Sequence, residues 1–115
     1  MAEPNWLNKA VPTRDRSLKQ EKRLAGTLGG KTTAGSGSTF GENDVLTDQF
    51  EVEAKTTLAK SFKLTLADWR KAEKKCRVDR SVLMVVSFEE EKLDLVVMDL
   101  AEYIRLFKIN PLDPK

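Results

Sequence analysis

Apolar and polar positions alternate with period two in one stretch of this chain and with helical period in three others. In Phe50-Glu51-Val52-Glu53-Ala54-Lys55 the alternation is strict. Phe50, Val52 and Ala54 therefore share one face of a strand, and Glu51, Glu53 and Lys55 share the other. Asp44 to Thr57 reads as two short strands joined by a turn at Asp48-Gln49. Residues 81–88 are nearly all apolar, which predicts a central strand covered on both faces. Leu93 to Met98 is its expected partner. The charged run Glu89-Glu90-Glu91-Lys92 between them reads as a solvated hairpin turn rather than a metal site.

The helical stretches carry their own start and stop signals. Ser17 with Gln20 three residues later predicts a capping box. Leu18, Ala25 and Leu28 supply an apolar stripe, and Gly29-Gly30 ends the helix. Thr65 caps a second helix over 65–79, with Asp68 in its first turn. Its expected inward residues are Leu66, Trp69, Ala72 and Cys76, with Lys71, Lys74 and Lys75 facing out. Asp99 caps a last helix that runs to Phe107 and stops near Asn110-Pro111. Lys31 to Asn43, rich in Gly, Ser and Thr, reads as a loop. Residues 1–16 read as an irregular tail broken by Pro4 and Pro12. Its Trp6-Leu7 pair is expected to pack on the domain or on a second subunit.

The order is helix, loop, two strands, helix, two strands, helix. It predicts an α/β domain over 17–109, a small mixed β-sheet flanked by helices, with short tails at 1–16 and 110–115. The Glu53 strand, the 65–79 helix and the 81–88 strand form a crossover unit.

Composition narrows the chemistry. A chain of 115 residues fits one domain with one core. It has no histidine and one cysteine. That excludes His-based acid–base catalysis, Ser-His-Asp triads, multi-Cys zinc sites and an intrachain disulfide. Cys76 reads as a small core residue rather than a reactive thiol. No apolar run is long enough to span a bilayer, and the N-terminal segment lacks a secretory h-region, so a cytoplasmic protein without a membrane role is expected. Neither GxxxxGK[ST] nor GxGxxG occurs, so no nucleotide cofactor is expected. Net charge is +2. It divides into +4 over residues 1–34 and −2 over the remainder. A basic approach surface beside an acidic centre suits a phosphate backbone.

Asp44 followed by Glu53-Ala54-Lys55 fits the loose pattern D-x(n)-[D/E]-x-K. Phosphodiester hydrolysis needs an activated water and stabilised charge at the scissile phosphate. Magnesium supplies both and prefers oxygen ligands. Asp44, Glu53 and the Ala54 carbonyl are the candidate ligands. Lys55, one pleat beyond Glu53, is placed to orient water or stabilise developing negative charge. The candidate DNA contacts are Arg14, Arg16, Lys19, Lys22, Arg23, Lys31, Thr56, Lys60 and Lys63. By helix chemistry alone, Glu21 reads as a solvated acid balancing Lys19, Lys22 and Arg23.

These residues resemble the PD-(D/E)xK nuclease superfamily, and within it the archaeal-type Holliday-junction resolvases also found in phages. The resemblance rests on Gln20-Glu21-Lys22-Arg23-Leu24-Ala25, Gly35-Ser36-Gly37-Ser38, Asp44-Val45 and Val52-Glu53-Ala54-Lys55-Thr56-Thr57, and covers about residues 17–106. Two features depart from it: Asn43 stands where many relatives have proline, and the segment joining Asp44 to Glu53 is short. The resemblance implies a restriction-endonuclease-like core. It also implies that Glu21 joins Asp44 and Glu53 at the metal and that Ser36 or Ser38 supplies an active-site hydroxyl. The cofactor would be Mg2+, with Mn2+ able to substitute, and the substrate branched DNA, a four-way junction cut by a homodimer. Ile104, Phe107 and Ile109 are candidate interface residues, with core packing as the alternative. Two other readings stay open. One is a PD-(D/E)xK nuclease acting on flaps, mismatches or restriction sites. The other is a DNA-binding or assembly protein with a vestigial site.

Overall fold

The first helix, α1, spans Thr13–Leu28 in the computed structural model of this chain, which describes residues 13–33 and 42–110. It begins four residues before Ser17, so Ser17 lies inside the helix and is not its cap. The acid in its first turn is Asp15, favourably placed at the positive end of the helix dipole. Gly29 ends α1 with φ of 71°, and the Gly30 N–H donates to the Ala25 carbonyl at 2.8 Å. This is a left-handed glycine stop. Gly30 is needed for a different reason. A Cβ there would run into the Leu46 carbonyl and sit 2.9 Å from Thr47 Cγ2.

Five strands follow: β1 (Lys31–Thr32), β2 (Val45–Leu46), β3 (Phe50–Thr57), β4 (Ser81–Phe88) and β5 (Leu93–Val97). They form one mixed sheet in the order β1-β2-β3-β4-β5. The stretch expected to be all loop therefore starts with a short edge strand. β3 and β4 are parallel, with Glu53 beside Met84 and Lys55 beside Val86, and every other neighbouring pair is antiparallel. The parallel pair is joined through helix α2 (Leu66–Lys75), the crossover expected from the sequence. Thr65 caps α2 by accepting from the Asp68 N–H at 3.1 Å. The helix stops at Lys75 rather than near 79, and Cys76 is its C-cap.

One face of the sheet packs Val45, Val52, Leu83 and Val85 against Leu24 and Ala25 of α1, with Phe50, Ala54 and Met98 at the margin. The buried face of α1 is thus Gln20, Glu21, Leu24 and Ala25; Leu18 and Leu28 are exposed. On α2, Ala72 is the buried residue, while Leu66, expected inward, is largely exposed. β4 is buried along almost its whole length, as its apolar run predicts.

The far side of the molecule is less covered. A 3-10 turn, Glu89–Glu91, and left-handed Lys92 join β4 to β5. β5 is an exposed edge strand. The last helix, α3 (Leu100–Phe107), is capped by Asp99, whose Oδ1 accepts from the Ala101 N–H at 2.8 Å. No residue of α3 is buried, although the helix is strongly amphipathic. Among the described residues no helix is long and apolar enough to cross a membrane.

Candidate functional site

The β2–β3 hairpin brings the two predicted carboxylates together. Thr47 fixes its turn: its N–H donates to the Phe50 carbonyl at 2.8 Å, and its Oγ1 accepts from the Phe50 N–H at 2.9 Å. The turn sets Val45 opposite Val52 and Leu46 opposite Glu51. One step further along this register, Asp44 stands opposite Glu53, on the same face of the sheet. The short connection between them is therefore what makes them neighbours. Asp44 Oδ2 also accepts from the Ala54 N–H at 2.7 Å. The side chain extends the strand pairing just before β2 begins.

Asn43 holds this arrangement from beneath. It is fully buried, and its Nδ2 donates to Glu51 Oε1 at 3.2 Å and to the Ala72 carbonyl at 3.1 Å. Thr33 completes the clamp. Its Oγ1 donates to the Asn43 carbonyl at 2.8 Å, and its N–H donates to the Asp44 carbonyl at 3.2 Å. Where the resembled family often has proline, this chain has an amide that links the strand carrying Asp44 to β3 and α2.

Glu53 is largely buried, with 15% of its side chain exposed. Its Oε1 pairs with Lys55 Nζ at 3.3 Å, while its Oε2 is buried with no hydrogen-bond partner. Burial raises its pKa above the ordinary glutamate value, and the nearby Asp44 charge raises it further; Lys55 and Lys75 act in the opposite sense. Lys75, expected to face outward, is therefore a second cation felt by Glu53. Its position at the last residue of the shortened α2 explains this, and the longer helix expected from the sequence hid it.

Glu21 is 6% exposed, so it is not a solvated surface acid. It lies on the buried face of α1 beside Gln20. Gln20, expected to serve a capping box, instead donates from Nε2 to the Lys55 carbonyl at 2.6 Å and to Ser87 Oγ at 2.7 Å. α1 is thereby tied to the strand carrying the candidate lysine. Among the described residues, no three His, Cys, Asp or Glu side chains form a group able to hold a metal. The acidic centre is the Asp44–Glu53 pair, with Ala54 between Glu53 and Lys55. Ser36, Ser38 and the Trp6-Leu7 pair lie outside the described residues.

The predicted DNA contacts divide into two sets. Arg16, Lys19, Arg23 and Thr56 line one groove with Lys92, which the sequence reading did not include. Arg16 Nη1 pairs with Glu89 Oε2 at 2.8 Å, and Arg23 grips Asp94 through both terminal nitrogens, at 2.6 and 2.9 Å. Arg14, Lys22, Lys31, Lys60 and Lys63 are exposed outside that groove. Cys76, expected in the core, is instead the half-buried C-cap residue of α2. Burial, with Glu51 adding to it, pushes its thiol up to about 11.

Comparison of the chain with protein-family models, curated proteins and solved structures finds no match. The functional reading therefore stands on the residues themselves and on the motif resemblance.

Proposed function

We propose that this protein is a magnesium-dependent, structure-selective DNA endonuclease with a restriction-endonuclease-like core, and specifically a homodimeric resolvase of four-way junctions. The observation that carries the proposal is the Asp44–Glu53 pair facing across a tight hairpin, with Lys55 on Glu53 and one buried Glu53 oxygen lacking a partner. The order helix, three strands, crossover helix, parallel strand fits the core of the resembled superfamily.

The donor set suits a hard divalent cation. It is all oxygen, and magnesium commonly uses one or two carboxylates with water and substrate phosphate completing its shell. Asp44 and Glu53 would hold the ion, with the Ala54 carbonyl as a further donor. When bound, the ion supplies Lewis acidity that activates water and offsets charge at the scissile phosphate. Lys55 presents its ammonium beside Glu53, where it can orient the attacking water or stabilise the phosphate as negative charge builds. Lys75 adds positive potential on the same carboxylate. A carboxyl that resists ionisation in the isolated protein is eased by a cation, which couples site assembly to metal arrival.

The uncovered side of the molecule supports the dimer. Among the described residues β5 has no partner on its outer edge, and Leu100, Tyr103, Phe107 and Ile109 expose apolar surface in the segment that follows it.

A labelled four-way junction incubated with the protein and Mg2+, with EDTA as control, separates these readings. Paired, symmetric nicks that require the metal and disappear in Glu53→Ala support the resolvase. Metal-dependent cleavage of flaps or linear DNA but not of junctions supports another nuclease. Junction binding without cleavage in Mg2+ or Mn2+ leaves the vestigial reading.

A further inference from the structure

A second site lies on the opposite face of β3 from Glu53 and Lys55. Between α1 and the carboxyl ends of the parallel strands β3 and β4 is a groove of about 580 Å³. This volume falls in the range of small-molecule sites. Crevices at the carboxyl ends of parallel strands are also where open α/β sheets bind ligands.

The polar groups lining the groove define what it can accept. The Gln20 amide orientation is fixed, because its nitrogen faces two acceptors, the Lys55 carbonyl and Ser87 Oγ. Its Oε1 is consequently an acceptor, and it has no partner although Gln20 is only 4% exposed. Ser87 has no capacity left: it accepts from Gln20 and Arg23 and donates to Asp94. Thr56 Oγ1 is a second buried acceptor-capable groove atom lacking a partner. The lining thus combines one unused acceptor and one unused hydroxyl with the apolar side chains Leu58, Phe88 and Leu93. Lys19 and Lys92 add cationic charge beside the two ion-paired arginines.

A bare phosphate would meet the lysines but would place an acceptor against Gln20 Oε1. A nucleobase offers what Gln20 lacks, because each of the four carries an N–H donor on its pairing edge. Its flat, largely apolar ring suits the leucine and phenylalanine side chains, and its phosphate suits the lysines. We propose that this groove holds a single unstacked nucleotide of the DNA substrate, with its base toward Gln20 and Thr56 and its phosphate toward Lys19 and Lys92. The proposal rests on the nuclease reading for the polymer that delivers the nucleotide. The groove's own chemistry specifies the nucleotide.

The test uses the full chain in EDTA, where cleavage cannot contribute. In one arm, a four-way junction carries 2-aminopurine at the branch point, and its fluorescence is read at saturating protein. Unstacking into the groove predicts a rise with wild type and with Glu53→Ala, and the free-junction level with Leu58→Glu at equal saturation. Leu58 is partly exposed, so that variant retains the fold. In the second arm, dAMP is titrated into the isotope-labelled wild-type protein and followed by NMR. The amides of Gln20, Thr56 and Lys92 should shift, and Thr56→Val should bind dAMP about fivefold more weakly, the effect of one lost hydrogen bond. A bound junction with no fluorescence rise, or dAMP shifts scattered away from the groove, overturns the proposal. Metal-dependent cleavage together with a silent groove would remove this proposal and leave the nuclease reading intact. A dAMP-binding groove without cleavage would do the reverse.

Discussion

Glu51 and Glu53 stand two residues apart on the same face of β3, yet they are opposite kinds of carboxylate. Glu51 is 1% exposed and satisfied. Its Oε1 accepts from Asn43, its Oε2 accepts from the Arg77 N–H at 3.0 Å, and Arg80 approaches at 3.8 Å. Glu53 has one lysine contact and one buried oxygen with nothing to accept from. Alternation puts both on one face and does not distinguish them. The difference comes from what lies across from each. Glu51 faces Leu46 and the end of α2, where backbone and amide donors are plentiful. Glu53 faces another carboxylate. A fully bonded buried acid holds a fold together, whereas an acid facing an acid is stable only when a proton or a cation intervenes.

The comparison breaks most sharply by mutation. Glu53→Ala and Lys55→Ala should each lower metal-dependent junction cleavage by about a thousandfold or more, with far-UV circular dichroism unchanged. Equal cleavage by wild type and Glu53→Ala would remove Glu53 from the site. Glu51→Ala should act on stability instead. It strands the Asn43 amide, the Arg77 N–H and the Arg80 charge, so denaturant unfolding should show a loss of about 3 kcal/mol. Asn43→Ala should cost about 2 kcal/mol by the same route. It should also slow cleavage, because Asp44 loses its clamp; an unchanged cleavage rate would show that Asp44 is held without it.

Glu53→Gln sharpens the contrast through pH. The Glu53 carboxyl keeps its proton to higher pH in the folded chain than in the unfolded one. Between those two titrations the folded state binds more protons, so the stability this group contributes falls as pH rises. Removing the charge should therefore raise Tm by a few degrees at neutral pH and leave it nearly unchanged at acid pH, below both titrations. A lower Tm at neutral pH would mean that the Lys55 pairing outweighs the burial cost. The smallest effect belongs to Arg23→Ala. Its pair with Asp94 is partly exposed and worth about 0.5 kcal/mol. Arg23 holds Asp94 below the usual carboxylate range, so this stability is present above the ordinary aspartate titration and lost as pH falls through the depressed one.

Features set by local chemistry were legible in the sequence. Thr65 and Asp99 cap their helices because a short oxygen side chain before a helical run has few other uses. The alternation in 50–55 and the apolar run in 81–88 gave two adjacent parallel strands. Features set by tertiary partners were not legible. Gln20 and Glu21 are polar, so the apolar stripe of Leu18, Ala25 and Leu28 points to the buried face of α1 through Ala25 alone, while Leu18 and Leu28 lie outside. Asn43 looked like a departure from a motif, because its Ala72 partner is 29 residues away. The Asp44–Glu53 meeting was half legible. Both residue types were visible, but their apposition depends on a hairpin register that only the Thr47 turn fixes.

The central claim is that Glu53, unlike Glu51, awaits a cation. Carboxyl carbon NMR of the glutamates, titrated with pH in EDTA and then in Mg2+, tests it most directly. The account predicts that Glu53 titrates above the ordinary glutamate value in EDTA and falls when Mg2+ is added, while the Glu51 signal does not respond to the metal. A Glu53 that titrates normally and is indifferent to Mg2+ would contradict it.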